Sequence, residues 1–269
     1  MTDRVQVEVK APVATITLNK PERLNALDVP MWEGIAEAAE AIDAAAEVRV
    51  AVLRGAGGAF CAGLDVKAGS TLSGIDAEHA PAHALAFIRR HLAHLQSCFT
   101  RLEACRVPVI GMLERVCIGG GLELALCCDV RVAAEGTIFA IPEVQLGIVP
   151  DMGGTQRLPR TIGIGLAKEL IYSGRRIDAS QALGIGLVNA VYPAGDLGAR
   201  VADLAAEIAA NAPLAVQAAK RSINGTYWRE IDGWLDLEAG EAAGPLLSRD
   251  RKEGMRAAAE RRRGNFSGQ

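Results

Sequence analysis

A chain of 269 residues can bury a full hydrophobic core, either as one large domain or as one domain with a helical extension. Half of its residues are hydrophobic, and a formal net charge of −3 gives no electrostatic reason to bind nucleic acid. No run of roughly eighteen apolar residues occurs, which excludes a membrane-spanning helix.

The start, Met1-Thr2-Asp3-Arg4, leads straight into alternating sequence with no apolar signal core. Val5, Val7 and Val9 alternate with polar residues, and a second run follows from Val13 to Leu18, so a hairpin is predicted. Asn19 to Leu27 reads as a turn segment. Asp28 then stands at the N-cap position of a helix that begins Val29-Pro30-Met31 and runs to about Ala45. Val48 to Leu53 predicts a mostly buried strand that opens into a glycine loop over Gly55 to Gly63. The polar stretch 69–84 is long enough for a flap. Ala84 to Leu102 has helical period, and Val107 to Met112 predicts a second buried strand. Short strands are expected at Asp129–Ala133 and Thr137–Ala140, then a turn at Ile141-Pro142-Glu143-Val144 with Pro at a helix start. Helices follow Gly153-Gly154 through Tyr172 and again at Ala179–Leu183, before a strand at Leu187–Tyr192. From Leu197 the chain reads helical apart from its tail. The pattern predicts an α/β core over 1–196 and a helical region over 197–269.

The chemistry is concentrated after the second buried strand. Gly119, Gly120 and Gly121 run directly into the apolar helix sequence Leu122-Glu123-Leu124-Ala125-Leu126. Each glycine inside a helix costs about 1 kcal/mol relative to alanine, so three in a row mark a boundary where backbone closely approaches something. The first N–H groups of a helix lack internal partners and suit a negative oxygen. Glu123 follows about one turn later, and helical side chains lean back toward the N-terminus, beside those donors. A carboxylate among leucines and alanines is costly unless it is paired or used. An anion site with an acid/base next to it is one reading. A glycine turn that merely admits a buried helix is the other.

Five segments together resemble the crotonase, or enoyl-CoA hydratase/isomerase, superfamily: LNKPERLNALD at 18–28, GAFCAGLDVK at 58–67, CIGGGLELALCCDVRVA at 117–133, IPEVQLGIVPDMGGTQRLPR at 141–160 and DRKEGMRAAAERRRGNFSG at 250–268. The resemblance runs from about Val5 to Gly268. It implies a spiral of ββα units, a C-terminal helical region used for trimerisation, and a trimer or a hexamer built as a dimer of trimers. It also implies acyl-CoA thioester chemistry through an enolate, with no cofactor beyond the coenzyme A of the substrate. Carried over by motif position, the backbone N–H groups of Leu64 and Gly120 form an oxyanion hole. Glu123 activates a water and Glu143 protonates the α-carbon. Ala62, Gly63, Asp65, Val66 and Lys67, with Lys20, Arg23 and Phe266, are the expected coenzyme A contacts.

The pattern departs from the hydratases at one point. Asp151, eight residues after Glu143, stands where many hydratases have glycine, and Glu143 with Asp151 resembles the dienoyl-CoA isomerase branch. That branch usually has aspartate at the position of Glu123. Asp151 could equally cap a helix beginning near Met152. An enoyl-CoA hydratase is the leading reading, a double-bond isomerase the second, and a non-catalytic acyl-CoA-binding protein the third. The four histidines, His79, His83, His91 and His94, have no acidic or cysteine partners at ligand spacing, so no metal is expected. The basic residues from Arg249 to Arg263 read as a solvated face or as a phosphate-binding tail. Neither GxGxxG nor GxxxxGK[ST] occurs. Six cysteines without CxxC spacing read as reduced thiols of a cytoplasmic protein.

Overall fold

The computed structural model describes residues 3–65, 81–226, 249–260, 262 and 264–269. The predicted hairpin is strands β1 (Val5–Lys10) and β2 (Val13–Leu18), paired antiparallel with Val5 opposite Leu18. Helix α1 (Val29–Ala44) starts where expected: the Asp28 carboxylate accepts from Met31 N at 3.2 Å, capping the first turn. Strand β3 (Val50–Gly55) lies parallel to β2, and β4 (Val109–Leu113) parallel to β3. Between them runs α2 (Pro81–Glu103), which packs on α1. Trp32 of α1 meets Phe99 of α2 with ring centroids 6.1 Å apart.

From β4 to β7 consecutive strands alternate between two sheets. Strands β4 and β6 (Val130–Ala134) belong to a six-stranded sheet of order β1-β2-β3-β4-β6-β9. Strands β5 (Val116–Ile118) and β7 (Ile138–Ala140) belong to a three-stranded sheet of order β5-β7-β8. Each strand pair is followed by a helical turn, so the chain winds as ββα repeats. The short strands β8 (Ile177–Asp178) and β9 (Ala190–Tyr192) close the two sheets. Helix α3 (Gly120–Ala125) follows β5, and α4 (Gly154–Ile162), α5 (Ile164–Ser173) and α6 (Ala179–Gly184) come after β7. β5 and β8 are not legible as separate strands, because three and two residues are too few to show a period of two.

The larger sheet is covered on both faces, which explains the continuous apolar runs of its central strands. Ala51, Leu53, Val109 and Leu113 face the main core with α1 and α2. Val50, Val52, Ile110, Met112 and Val132 face a second layer formed by Leu197, Val201, Ala205 and Ala209 of α7 (Leu197–Ala209). The expected boundary at 196/197 therefore falls at the start of a helix that packs on the core sheet. Beyond it lie α8 (Pro213–Thr226) and α9 (Arg249–Ala259). The buried Asp250 of α9 anchors the tail by accepting from Ser267 N and Gly268 N, both at 2.7 Å. No described helix is long and apolar enough to cross a membrane.

Candidate active site

The loop after β3 is held from both sides. Asn25, fully buried with φ 55°, donates to Ala56 O at 3.0 Å and Ala59 O at 2.7 Å while its Oδ1 accepts from Lys20 N. Cys61 N donates to Val116 O and Ile118 N to Cys61 O, which ties the loop to β5. Leu27 N donates to Gly63 O at 2.7 Å, and Asp65 N donates to Leu27 O at 2.9 Å. In such a parallel bridge the intervening residue points its own amide the other way, so the Leu64 N–H faces away from Leu27. Ala62 N is fixed by Leu24 O at 3.0 Å.

Gly63 is where this loop meets the glycine turn. A Cβ on Gly63, at φ 89°, would stand 2.7 Å from Ile118 O and 3.5 Å from Gly120 N. The Leu64 and Gly120 amides thus belong to two loops in direct contact. Gly119 has φ 55° and ψ −127°, and a Cβ there would lie 2.7 Å from Glu143 Oε1. Any side chain would displace that carboxylate. Gly120 is the first residue of α3, where an N–H has no helical acceptor. The helix is shorter than its apolar sequence suggests: it ends at Ala125, and all six of its residues are buried.

Three acids converge beside these amides. Glu123, 2% exposed, directs Oε1 to two backbone donors, Met152 N at 2.9 Å and Gly154 N at 2.8 Å. Burial pushes its pKa up to about 8, the Glu143 charge adds to the rise, and the two amides oppose it. Glu143, 7% exposed, opens a short 3-10 turn after Pro142. Burial raises its pKa too, with Asp151 contributing and its own backbone amide opposing. Its Oε2 is buried without a hydrogen-bond partner among the described residues. Such an atom is costly unless something else satisfies it. Asp151 is half-buried, and burial lifts its pKa as well. The expectation that Asp151 caps the next helix is corrected: α4 begins at Gly154, its N-cap is Gly153, and no side chain caps it.

The expected coenzyme A contacts divide. Lys20 is 5% exposed, and its ammonium reaches Asp28 Oδ2 at 2.5 Å and Asp65 Oδ2 at 2.8 Å, while Arg23 reaches Asp65 Oδ1 at 3.0 Å. Burial alone would lower the Lys20 pKa, but the bonds to Asp28 and Asp65 outweigh it and leave the pKa raised. The Lys20 and Asp65 side chains, expected at the coenzyme A side, thus form an internal pair that fixes the segment next to Leu64. Arg23 remains partly exposed at that corner. Val66, Lys67, His79 and most of the expected flap lie outside the described residues.

Phe266 does not reach the site within one chain. Its carbonyl accepts from Arg49, just before β3, whereas the Gly55–Leu64 loop leaves the other end of that strand, about 20 Å away at the rise of a β-strand. Of the basic residues, Arg256 and Arg262 pair with Glu253. The six cysteines are buried free thiols. No group of three or more metal-binding side chains occurs among the described residues. Sequence reasoning missed the Met152 and Gly154 donors; the Gly153-Gly154 pair, read only as a helix boundary, was their one visible trace.

The chain is similar to known proteins along nearly its whole length. The Enoyl-CoA hydratase/isomerase family profile matches residues 8–269. YngF of Bacillus subtilis is 39% identical over 270 residues, covering 100% of both chains. The crotonyl-CoA hydratase of Syntrophomonas wolfei is 36% identical over 265 residues, covering 98% of each. Among solved structures, the enoyl-CoA hydratase of Bacillus anthracis superposes with a TM-score of 0.89 at 35% identity, covering 99% of this chain and 100% of that one.

Proposed function

The chain belongs to the enoyl-CoA hydratase/isomerase (crotonase) family, and within it we propose that this protein adds water syn across the α,β double bond of a 2-trans-enoyl-CoA thioester. The observation that carries the reading is the pair of buried carboxyls, Glu123 and Glu143, beside the adjoining Leu64 and Gly120 loops. The Leu64 and Gly120 amides receive the thioester oxygen as the enolate forms. Removing one such donor from comparable sites costs roughly 2.7–4 kcal/mol. Glu123 takes a proton from the water as its oxygen bonds to Cβ, and Glu143 gives a proton to Cα. One proton has then moved from Glu143 to Glu123, and it returns before the next hydration. The addition is redox-neutral, so it needs no electron-transfer cofactor.

Two raised acids sharing one proton suit this cycle, because each must be charged in one half of it and neutral in the other. With Glu143 ionised, the last proton resides on the more buried Glu123, the state primed for the reverse elimination. Coenzyme A contacts are assigned to the Ala62–Lys67 segment and Arg23, with Phe266 acting across a subunit boundary in a trimer or a dimer of trimers.

Loss of the enoyl-thioester absorbance of crotonyl-CoA measures the reaction. Glu123→Gln and Glu143→Gln should each lower kcat by orders of magnitude, and unchanged turnover in both would overturn the assignment. A second reading, double-bond isomerisation, rests on Asp151, whose charge acts on both Glu123 and Glu143. Under it, Asp151→Asn abolishes activity on a dienoyl-CoA while hydration is weak from the start.

A further inference from the structure

Glu123 owes its two hydrogen bonds to a turn that has little reason of its own to hold still. The turn Asp151-Met152-Gly153-Gly154 carries two adjacent glycines, the most permissive backbone available. Gly153 sits at φ 100°. Rotation of either flanking peptide would take Met152 N or Gly154 N away from the carboxylate. What opposes rotation lies on the outer side of the turn. Arg157 Nη1 donates to Met152 O at 3.2 Å, and Gln96 Nε2 of α2 donates to Asp151 O at 2.5 Å. The guanidinium lies so close that a Cβ on Gly153 would stand 1.9 Å from Nη1. The glycine that loosens the turn is thus also what admits the arginine.

Arg157 is itself locked. Its Nε and Nη2 donate to the two oxygens of Glu103 at 3.1 and 2.7 Å, a fork on a carboxylate, and Nη2 approaches Thr100 Oγ1 at 3.4 Å. Glu103 is the last residue of α2, and the Arg157 side chain is only 16% exposed. A long helix is therefore coupled through one ion pair to the backbone that grips Glu123.

We infer that Arg157, held by Glu103, is a positioning residue that keeps the Met152 and Gly154 amides aimed at Glu123. It touches neither substrate nor the reacting atoms, and the inference rests on the reading of Glu123 as the water-activating group. The other ionisable neighbours acting on Glu123 are Glu143 and Asp151, and the Cys127 thiol bonds to its backbone carbonyl at 3.3 Å.

The test compares Arg157→Gln, Arg157→Lys and Glu103→Gln with the wild type, following kcat, KM and the pH at which the last proton leaves the acid pair. Infrared absorption of the protonated carboxyl, assigned by difference against Glu123→Gln, reads that proton without turnover. Arg157→Gln should lower kcat about 100-fold with KM little changed. It should also move the loss of the last proton up by roughly one pH unit, because the charged form of Glu123 loses its donors. Arg157→Lys keeps the charge but not the fork and should fall between. A lysine variant equal to wild type would reduce the effect to charge alone and overturn the inference. So would an Arg157→Gln protein that melts earlier with an unchanged pH profile and infrared titration. If Arg157→Gln does not fold, Glu103→Gln must show the same upward shift, and its absence there overturns the inference. A wild type that fails to hydrate crotonyl-CoA removes the functional reading, while the infrared shift still decides the clamp.

Discussion

Asp65 and Glu123 are both buried carboxylates beside the same pair of loops, and their surroundings differ in kind. Asp65 faces cations: Lys20 at 2.8 Å and Arg23 at 3.0 Å, with Asp28 completing the cluster through Lys20. Glu123 faces two neutral amides on one oxygen and two other acids across the site. The first arrangement satisfies a charge and fixes backbone. The second leaves a carboxyl that holds its proton far above the usual range. Burial alone does not identify a reactive acid; the sign of its neighbours does.

The largest expected effect falls on the reactive side of this contrast. Glu143→Gln or Glu123→Gln should cut kcat for crotonyl-CoA by about 10²–10⁴-fold in a steady-state assay. Next comes the pH dependence: kcat/KM should fall about tenfold per unit above roughly pH 8, where the acid pair loses its last proton. A profile flat to pH 10 would mean that the pair needs no shared proton.

On the structural side, Lys20→Ala leaves Asp65 and Asp28 without their buried cation and should cost about 3–5 kcal/mol, read from urea unfolding. Glu123→Gln should have the opposite sign. The folded protein holds the Glu123 proton up to about pH 8, whereas the unfolded chain releases it near 4.5, so wild-type stability falls as pH rises through that window. The glutamine variant escapes that fall. Its advantage should grow between pH 4.5 and 8 to on the order of 5 kcal/mol, measured as a gap in Tm at pH 8.5 that is absent at pH 4. Smallest, Asp28→Ala removes the α1 cap and one partner of Lys20, a loss of about 1–2 kcal/mol.

Much of the frame was legible before any coordinates. The β1–β2 alternation, the Asp28 cap and the two apolar central strands are local signals, and all appear within a few residues of where they were read. So are Gly119 and Gly121, where a Cβ would stand 2.7 Å from Glu143 Oε1 and 2.5 Å from Cys61 O. The Glu123 environment was also visible, since its neighbours in the helix are all apolar. The pairing of Lys20 with Asp65 was not legible, because two charges 45 positions apart give no sign that they face each other. The placement of Phe266 at the far end of β3 was hidden for the same reason.

By itself, the sequence determined the elements, the family to which they belong and the residue types able to move protons. Those depend on periodicity, caps and motif spacing along one stretch of chain. The tertiary structure decided which acids face cations and which face other acids, and it supplied the Met152, Gly154 and Arg157 contacts around Glu123. Electrostatic character depends on distance through space, and strands that alternate between two sheets bring together residues that the chain order keeps apart.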